Sequence, residues 1–388
     1  MKHRRKIRKN QRHRWIQCCA IPLSFILAYQ VLGKTVPYVA ESLNAVTVFS
    51  AGASFLGGGL SYAKQEIALH SAEANQSPSS SQPESSVSVP PDTSTAESAG
   101  QQDSGSGESE ALETNASLPP APEKPEGAGT VTDRLVTAGN TNQFVPLEYG
   151  YVKNLSTLSA EQIVSLSQNE LSFSLEDTEE PQVLIYHTHA TESYQPYDCD
   201  WYDPAYNARN QDNAQNMVAV GDVLESQLKA AGIGVIHDTT QHDNPSYTGA
   251  YSRSRETIQK YLDEYPSIKV ILDVHRDALQ GDNVITAPTT EINGVKTAQL
   301  MMICCADDGT GNLPNSQNDL TFACQLQKGL ESKYPTLTRP ILYDDRSYNQ
   351  DMAPGALLVE VGGHGNTLPE AKNAIRLFGE ELIALLKP

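Results

Sequence analysis

The amino-acid sequence predicts an α/β domain with a largely parallel sheet flanked by helices. Three observations carry that prediction. Short aliphatic runs recur through the C-terminal part of the 388-residue chain. Segments of about 12 to 20 residues with helical spacing separate most of them. Ionisable residues follow several of the runs directly. Strands alternating with helices specify parallel pairing, because a parallel return needs a crossover long enough to hold a helix. In such sheets ligands bind just beyond the carboxyl ends of strands.

The elements follow in order. Residues 182–186 read as a buried strand. Residues 214–231 put Met217, Val220, Val223, Leu224 and Leu228 at helical spacing, closed by Gly232. A strand at 233–236 and a helix at 252–265, ended before Pro266, lead to a third strand at 269–274. A fourth strand at 299–305, a helix at 319–334, a strand at 355–361 and a helix at 368–386 complete the domain, expected over 131–388.

The first 130 residues read differently. Residues 1–14 carry eight Lys and Arg and no acid, and 15–33 are uncharged and largely apolar. Nineteen residues at about 1.5 Å each suffice to cross a hydrocarbon core about 30 Å thick. A basic flank before the span predicts a single-pass signal anchor, N-terminus inside and domain extracytoplasmic; a cleaved signal peptide is the competing reading. Residues 34–71 read as a juxtamembrane segment whose uncharged stretch 43–63 is diluted by Ser and Gly. From 72 to 130, Ser, Pro, Glu and Gly dominate, so a disordered spacer is expected. The apolar share of 39% for the whole chain agrees with an unpacked portion.

Charge excludes one class of partner. The net charge is −19, and beyond residue 14 the balance is 20 basic against 47 acidic residues. So acidic a body disfavours nucleic acid. The six cysteines show no Cys-x-x-Cys spacing, and Cys304 and Cys305 read as core. No Gly-x-Ser-x-Gly elbow or phosphate-binding loop is present.

Three strand ends carry candidate chemistry. His187, His189 and Glu192 follow the first strand, and two imidazoles with a carboxylate suit a divalent metal. Asp273, His275, Arg276 and Asp277 end the third strand. Glu360 interrupts an apolar strand before Gly362, Gly363 and His364; a carboxylate there pairs with a cation, Arg276 or Arg346 among them, or serves as a general base beside a metal. The two glycines are expected to admit substrate backbone. His237 and His242 read as polar loop residues.

These motifs, Ile185-Tyr-His-Thr-His-Ala-Thr-Glu-Ser-Tyr194, Gly232-Ile-Gly-Val-Ile-His-Asp238, Tyr251-Ser-Arg-Ser-Arg-Glu-Thr-Ile258, Asp273-Val-His-Arg-Asp-Ala278 and Val359-Glu-Val-Gly-Gly-His-Gly-Asn366, resemble the stage II sporulation protein P family. More distantly the layout resembles the zinc-dependent N-acetylmuramoyl-L-alanine amidases. The resemblance implies hydrolysis of the N-acetylmuramoyl-L-alanine bond of peptidoglycan during engulfment, with cross-link endopeptidase action as a further activity. It implies a zinc ion on His187 or His189, Glu192 and His275, with Glu360 catalytic and Asp212 the alternative acidic ligand. Arg276 is expected to orient a carboxylate of the stem peptide. Stage II sporulation proteins D and M are the implied partners, at the cell membrane facing the intermembrane space of the sporangium. The other readings are a non-catalytic wall-binding or hydrolase-activating module, and an extracytoplasmic metallopeptidase.

Overall fold

A computed structural model describes residues 112–307 and 309–387. The expected basic tail, apolar span and juxtamembrane segment, and the spacer up to 111, lie outside these residues. Among the described residues no helix is long and apolar enough to cross a membrane.

The strands are β1 (Gly129–Arg134), β2 (Phe144–Pro146), β3 (Tyr151–Asn154), β4 (Val183–Tyr186), β5 (Trp201–Tyr202), β6 (Val235–His237), β7 (Val270–Asp277), β8 (Gln280–Gly281), β9 (Val284–Ile292), β10 (Val295–Ala298), β11 (Leu300–Cys305), β12 (Ile341–Asp344) and β13 (Gly355–Gly363). The helices are α1 (Ala160–Ser167), α2 (Met217–Ala230), α3 (Ala250–Glu264), α4 (Ser316–Lys333) and α5 (Leu368–Leu386). Eight strands form one sheet in the order β2-β3-β12-β11-β13-β7-β4-β6, and a smaller sheet runs β10-β9-β1-β5 with β8 on β9.

The α/β character holds, but the sheets are mixed rather than largely parallel. Six of the eleven strand pairings are parallel and five antiparallel. The physical reason lies between β7 and β11. No helix crosses over there; β9 and β10 form an antiparallel hairpin, and β11 re-enters antiparallel to β13, with Leu300 opposite Val361.

Side-chain alternation divides the large sheet into two faces. Val183, Ile185, Leu272, Val274, Leu357 and Val359 pack with Val220 and Leu224 of α2, Phe322 of α4 and Phe378 of α5. Leu184, Tyr186, Ile271 and Ala356 turn the other way onto Ile258 of α3. Each fully buried Leu, Ile or Val contributes about 1.5–3 kcal/mol. Asn216 caps α2 by accepting from the Val218 N–H at 2.9 Å, and Glu370 reaches back to the Thr367 N–H at the start of α5.

The chain from 112 to 130, expected within the disordered spacer, is held against the domain instead. The Glu113 N–H donates to Asn373 Oδ1 at 2.7 Å, Asn115 Nδ2 donates to Glu370 Oε1 at 2.8 Å, and β1 begins at Gly129. Ser- and Pro-rich composition does not reveal that Asn and Glu side chains of the final helix await these groups. The four cysteines among the described residues are free.

Asp319 of α4 is 1% exposed and accepts from the Ala356 N–H at 2.9 Å. Burial raises its pKa well above the ordinary aspartate value, partly offset by that hydrogen bond. A folded carboxyl that holds its proton more tightly than the unfolded one stabilises at low pH and loses that contribution as pH rises above about 3.8. Asp319→Asn keeps the accepting oxygen and removes the charge. Its denaturation midpoint should exceed the parent's between about pH 6 and 8 and converge with it near about pH 4; a difference independent of pH would contradict the buried-charge account.

Candidate metal centre

The site is assembled by β4, β7 and β13, neighbours in the large sheet. Leu272 and Val274 turn toward α2 and α5, so alternation sends Asp273 and His275 to the α3 face. On β13 Leu357, Val359 and Val361 do the same, which sends Glu360 to that face too. Backbone register pairs Glu360 with His275 and Tyr186 with Asp273. After Tyr186 the chain leaves the strand in a turn, and this brings His189 and Glu192 back over β7.

Three ligand-type side chains converge there. His189 Nδ1 lies 3.7 Å from Glu192 Oε1, and His275 Nδ1 lies 3.5 Å from Glu192 Oε2. All three donor atoms fall within 4.8 Å of one another, and all three residues are buried. Ligands bound tetrahedrally at 2.0–2.1 Å stand about 3.3 Å apart, so a small closure admits a zinc-sized ion. Asp273 Oδ1 sits 2.8 Å from His275 Nε2, outside hydrogen-bond geometry, and its charge favours a proton on Nε2, which leaves Nδ1 facing the cluster. Asp273 is itself fixed by the N–H and hydroxyl of Thr188, at 2.8 and 2.7 Å.

The electrostatics suit a cation. Burial drives the His189 pKa well below its ordinary value, so this imidazole is neutral. Burial opposes ionisation of Glu192, yet the Arg276 guanidinium, with His275 beside it, outweighs burial and holds the carboxyl well below the usual range. Burial also opposes a charge on His275, but Asp273 and Glu192 prevail and raise its pKa well above the ordinary value. Two neutralisable imidazoles and one firmly ionised carboxylate form a zinc donor set. Tyr251 of α3 lies parallel to the His275 ring, with centroids 6.4 Å apart, and borders a cleft of about 660 Å³ that Arg255 and Arg346 also line.

Glu360 stands beside this cluster without belonging to it. Its Oε2 is buried and has no hydrogen-bond partner among the described residues. Burial, with Asp277 adding to it and His275 opposing, pushes its pKa up to about 8. The arginines considered as its ion-pair partners are engaged elsewhere: Arg346 with Asp344 at 2.7 Å, and Arg276 as described next.

Several expectations need correction. His187 is not among the converging groups: its Nδ1 meets the Val274 carbonyl at 2.8 Å and its Nε2 meets His237 at 2.8 Å, on the α2 side of the sheet. The parity of Val183 and Ile185 continues through His187 and carries it to that side. Arg276 does not face a substrate; its guanidinium is buried and donates to the carbonyls of Ser193 and Ala208, with Glu192 Oε1 3.9 Å away. It is a positioning residue that bridges the Glu192 loop to β7. Asp212 is exposed and accepts from the Ala214 N–H, outside the cluster. His237 and His242 are not loop-surface residues: the His237 side chain is 1% exposed, and His242 is buried with Nδ1 on the His187 carbonyl. Gly362 adopts φ +69° where the register slips after Glu360, and a Cβ on it would meet Asn366 Oδ1 at 2.7 Å. That glycine serves a β-bulge, not open access to substrate.

In the sequence Asp273 is only one of four ionisable groups at a strand end, and Tyr251 stands out in no way. A carboxylate two residues before a ligand on the same strand shares its face, and that spacing is the signal for Asp273. Tyr251 sits on a helix distant in sequence, and no local pattern announces its position.

The family described as Stage II sporulation protein P matches residues 50–383. A curated Stage II sporulation protein P of Bacillus subtilis is 30% identical over 203 residues, which cover 50% of this chain and 48% of that protein; the match thus spans about half the length of that relative. Among solved structures, the CwlD amidase of Clostridioides difficile in complex with the GerS lipoprotein is 11% identical with a TM-score of 0.30, over 52% of this chain and 98% of that one. The N-acetylmuramyl-L-alanine amidase Ami1 of Mycobacterium abscessus is 11% identical with a TM-score of 0.29, over 53% and 99%.

The geometry makes a graded prediction for zinc at this cluster, read by competition against a chelator. His275→Ala or Glu192→Ala should weaken binding by at least about 100-fold, and Asp273→Asn by about 10- to 100-fold. Asp212→Asn should leave it unchanged. Loss of binding in Asp212→Asn with retention in Glu192→Ala would reverse the ligand assignment.

Proposed function

Because the chain belongs to the stage II sporulation protein P family, we propose that it is a peptidoglycan hydrolase of sporulation that cuts the amide bond between N-acetylmuramic acid and L-alanine. One observation carries the reading: Glu360, a carboxyl with an elevated pKa, sits in register with His275 beside a buried His189–Glu192–His275 donor set. A zinc ion held by His189, Glu192 and His275 would supply Lewis acidity, polarising the scissile carbonyl and acidifying water. Glu360 accepts a proton from the attacking water and returns it to the departing amine nitrogen, so the C–N bond breaks without leaving a charged amide anion. Asp273 keeps His275 in one orientation and tautomer throughout. Arg276 holds the Glu192 loop.

The N-terminal order of basic residues, apolar stretch and Ser/Pro-rich spacer supports an anchored protein working on the wall outside the membrane, where stage II sporulation proteins D and M would be its neighbours.

The reading is tested on purified sacculi with the full-length chain. Glu360→Gln should cut the release of stem peptides by about 10²- to 10⁴-fold while leaving zinc affinity within a few-fold. Mass spectrometry of the parent digest should find peptides with a free L-alanine amino terminus. Full activity in Glu360→Gln would remove the general base, and products cut only within cross-links would reassign the substrate bond.

A further inference from the structure

A second set of ligand-type side chains lies on the α2 side of the sheet, and the hydrolytic reaction does not use it. Asp222 and Glu225 are one helical turn apart on α2, so their carboxylates share a face. His237, at the end of β6, meets them: its Nδ1 is 3.2 Å from Asp222 Oδ1 and 3.8 Å from Glu225 Oε2. The three donor atoms lie within 4.8 Å of one another. The His237 side chain is 1% exposed, yet Nδ1 makes no hydrogen bond, although Asp222 stands so near.

Proton accounting explains that orphaned nitrogen. The Val274 carbonyl can only accept, so His187 Nδ1, 2.8 Å away, must carry a hydrogen. With that hydrogen on Nδ1, the single-proton form of the His187 ring offers its Nε2 as an acceptor. His237 Nε2, 2.8 Å away, must therefore be the donor. In the tautomer with its hydrogen on Nε2, His237 presents a lone pair at Nδ1 directly to two carboxylates, an arrangement that repels unless a cation lies between them. A proton on Nδ1 would be expected to form a hydrogen bond to Asp222, and none is made.

The surroundings are built for the pair of rings. Gly221 lies in the middle of α2, where glycine costs about 1 kcal/mol relative to alanine. A Cβ there would come within 2.4 Å of His237 Nε2 and 2.8 Å of His187 Nε2. Lys229 takes Glu225 Oε1 at 2.6 Å and leaves Oε2 toward His237, while the Asp222 side chain is 59% exposed and opens the group to solvent.

We infer that Asp222, Glu225 and His237 bind a second divalent transition-metal ion of the zinc class, separate from the ion proposed at His189, Glu192 and His275. The imidazole favours zinc over magnesium or calcium, and a 3.2 Å separation is what two ligands of a tetrahedral ion show at about 2.0–2.1 Å each. Once bound, the ion fastens β6 to α2 and fixes the hydrogen-bond chain from His237 through His187 to the backbone between Asp273 and His275.

The test counts zinc in the full-length chain after equilibration with zinc buffer, by elemental mass spectrometry. The parent should hold about two ions, Asp222→Asn/Glu225→Gln about one, His275→Ala about one, and all three substitutions together about none. If the first centre takes no zinc, the parent should hold about one ion, lost in Asp222→Asn/Glu225→Gln and kept in His275→Ala, so the two assignments fail separately. Asp222 and Glu225 are not buried, so the variant should fold. An unchanged zinc count in Asp222→Asn/Glu225→Gln overturns the inference, as does a parent whose zinc is all removed by His275→Ala.

Discussion

The pairing of β13 with β7 is the contact on which the candidate site depends. Glu360 and His275 share a register position and a face, and a slip of one residue would turn Glu360 into the aliphatic layer between the sheet and α5. Leu357, Val359 and Val361 on one strand and Leu272 and Val274 on the other forbid that slip, because each would have to leave a fully buried place. The hydrophobic core thus sets the chemistry: apolar residues at alternate positions fix which ionisable residues meet. Burial then raises the Glu360 pKa, while Arg276 and His275 keep Glu192 ionised nearby. Two carboxyls close in space are driven to opposite protonation behaviour by their neighbours alone.

Much of this was legible in the sequence. Nine of the elements appear as predicted strands and helices, with ends displaced by a few residues, because the helices stop at Gly or Pro and the aliphatic strand runs break off abruptly, most of them at ionisable residues or Gly. The three site-bearing strand ends were legible for the same reason, since Asp273, His275 and Glu360 interrupt runs that are otherwise aliphatic. The hairpin of β9 and β10 was not. Pro288 lies within β9 and reads as a strand breaker, but in the structure it is tolerated where β9 meets the end of β1. Missing that hairpin concealed the reversal that makes the sheet mixed.

The histidines show what spacing does and does not settle. His187 and His189 look equivalent in the sequence, two residues apart beside a Thr. In a strand they would share a face. The strand stops at Tyr186, however, and the turn that follows sends only His189 over β7. His187 keeps the inward parity of Ile185 and pairs with His237, which polarity alone had suggested was a surface residue. Whether a loop histidine is buried depends on a helix passing close above it, here at Gly221, and that proximity is a tertiary fact with no local signature.

The hold of residues 113 and 115 on α5 has a mechanical meaning. Asn115 grips one oxygen of Glu370, Asn366 grips the other, and Asn366 Oδ1 accepts from the Gly363 N–H in the bulge that follows Glu360. A pull on the chain at residue 112 would enter the domain at this relay, three hydrogen bonds from the strand that carries Glu360. Such a pull would thus be felt at the Glu360 carboxylate before it could unravel any β-strand, which couples the chain entering the domain to the posture of the site.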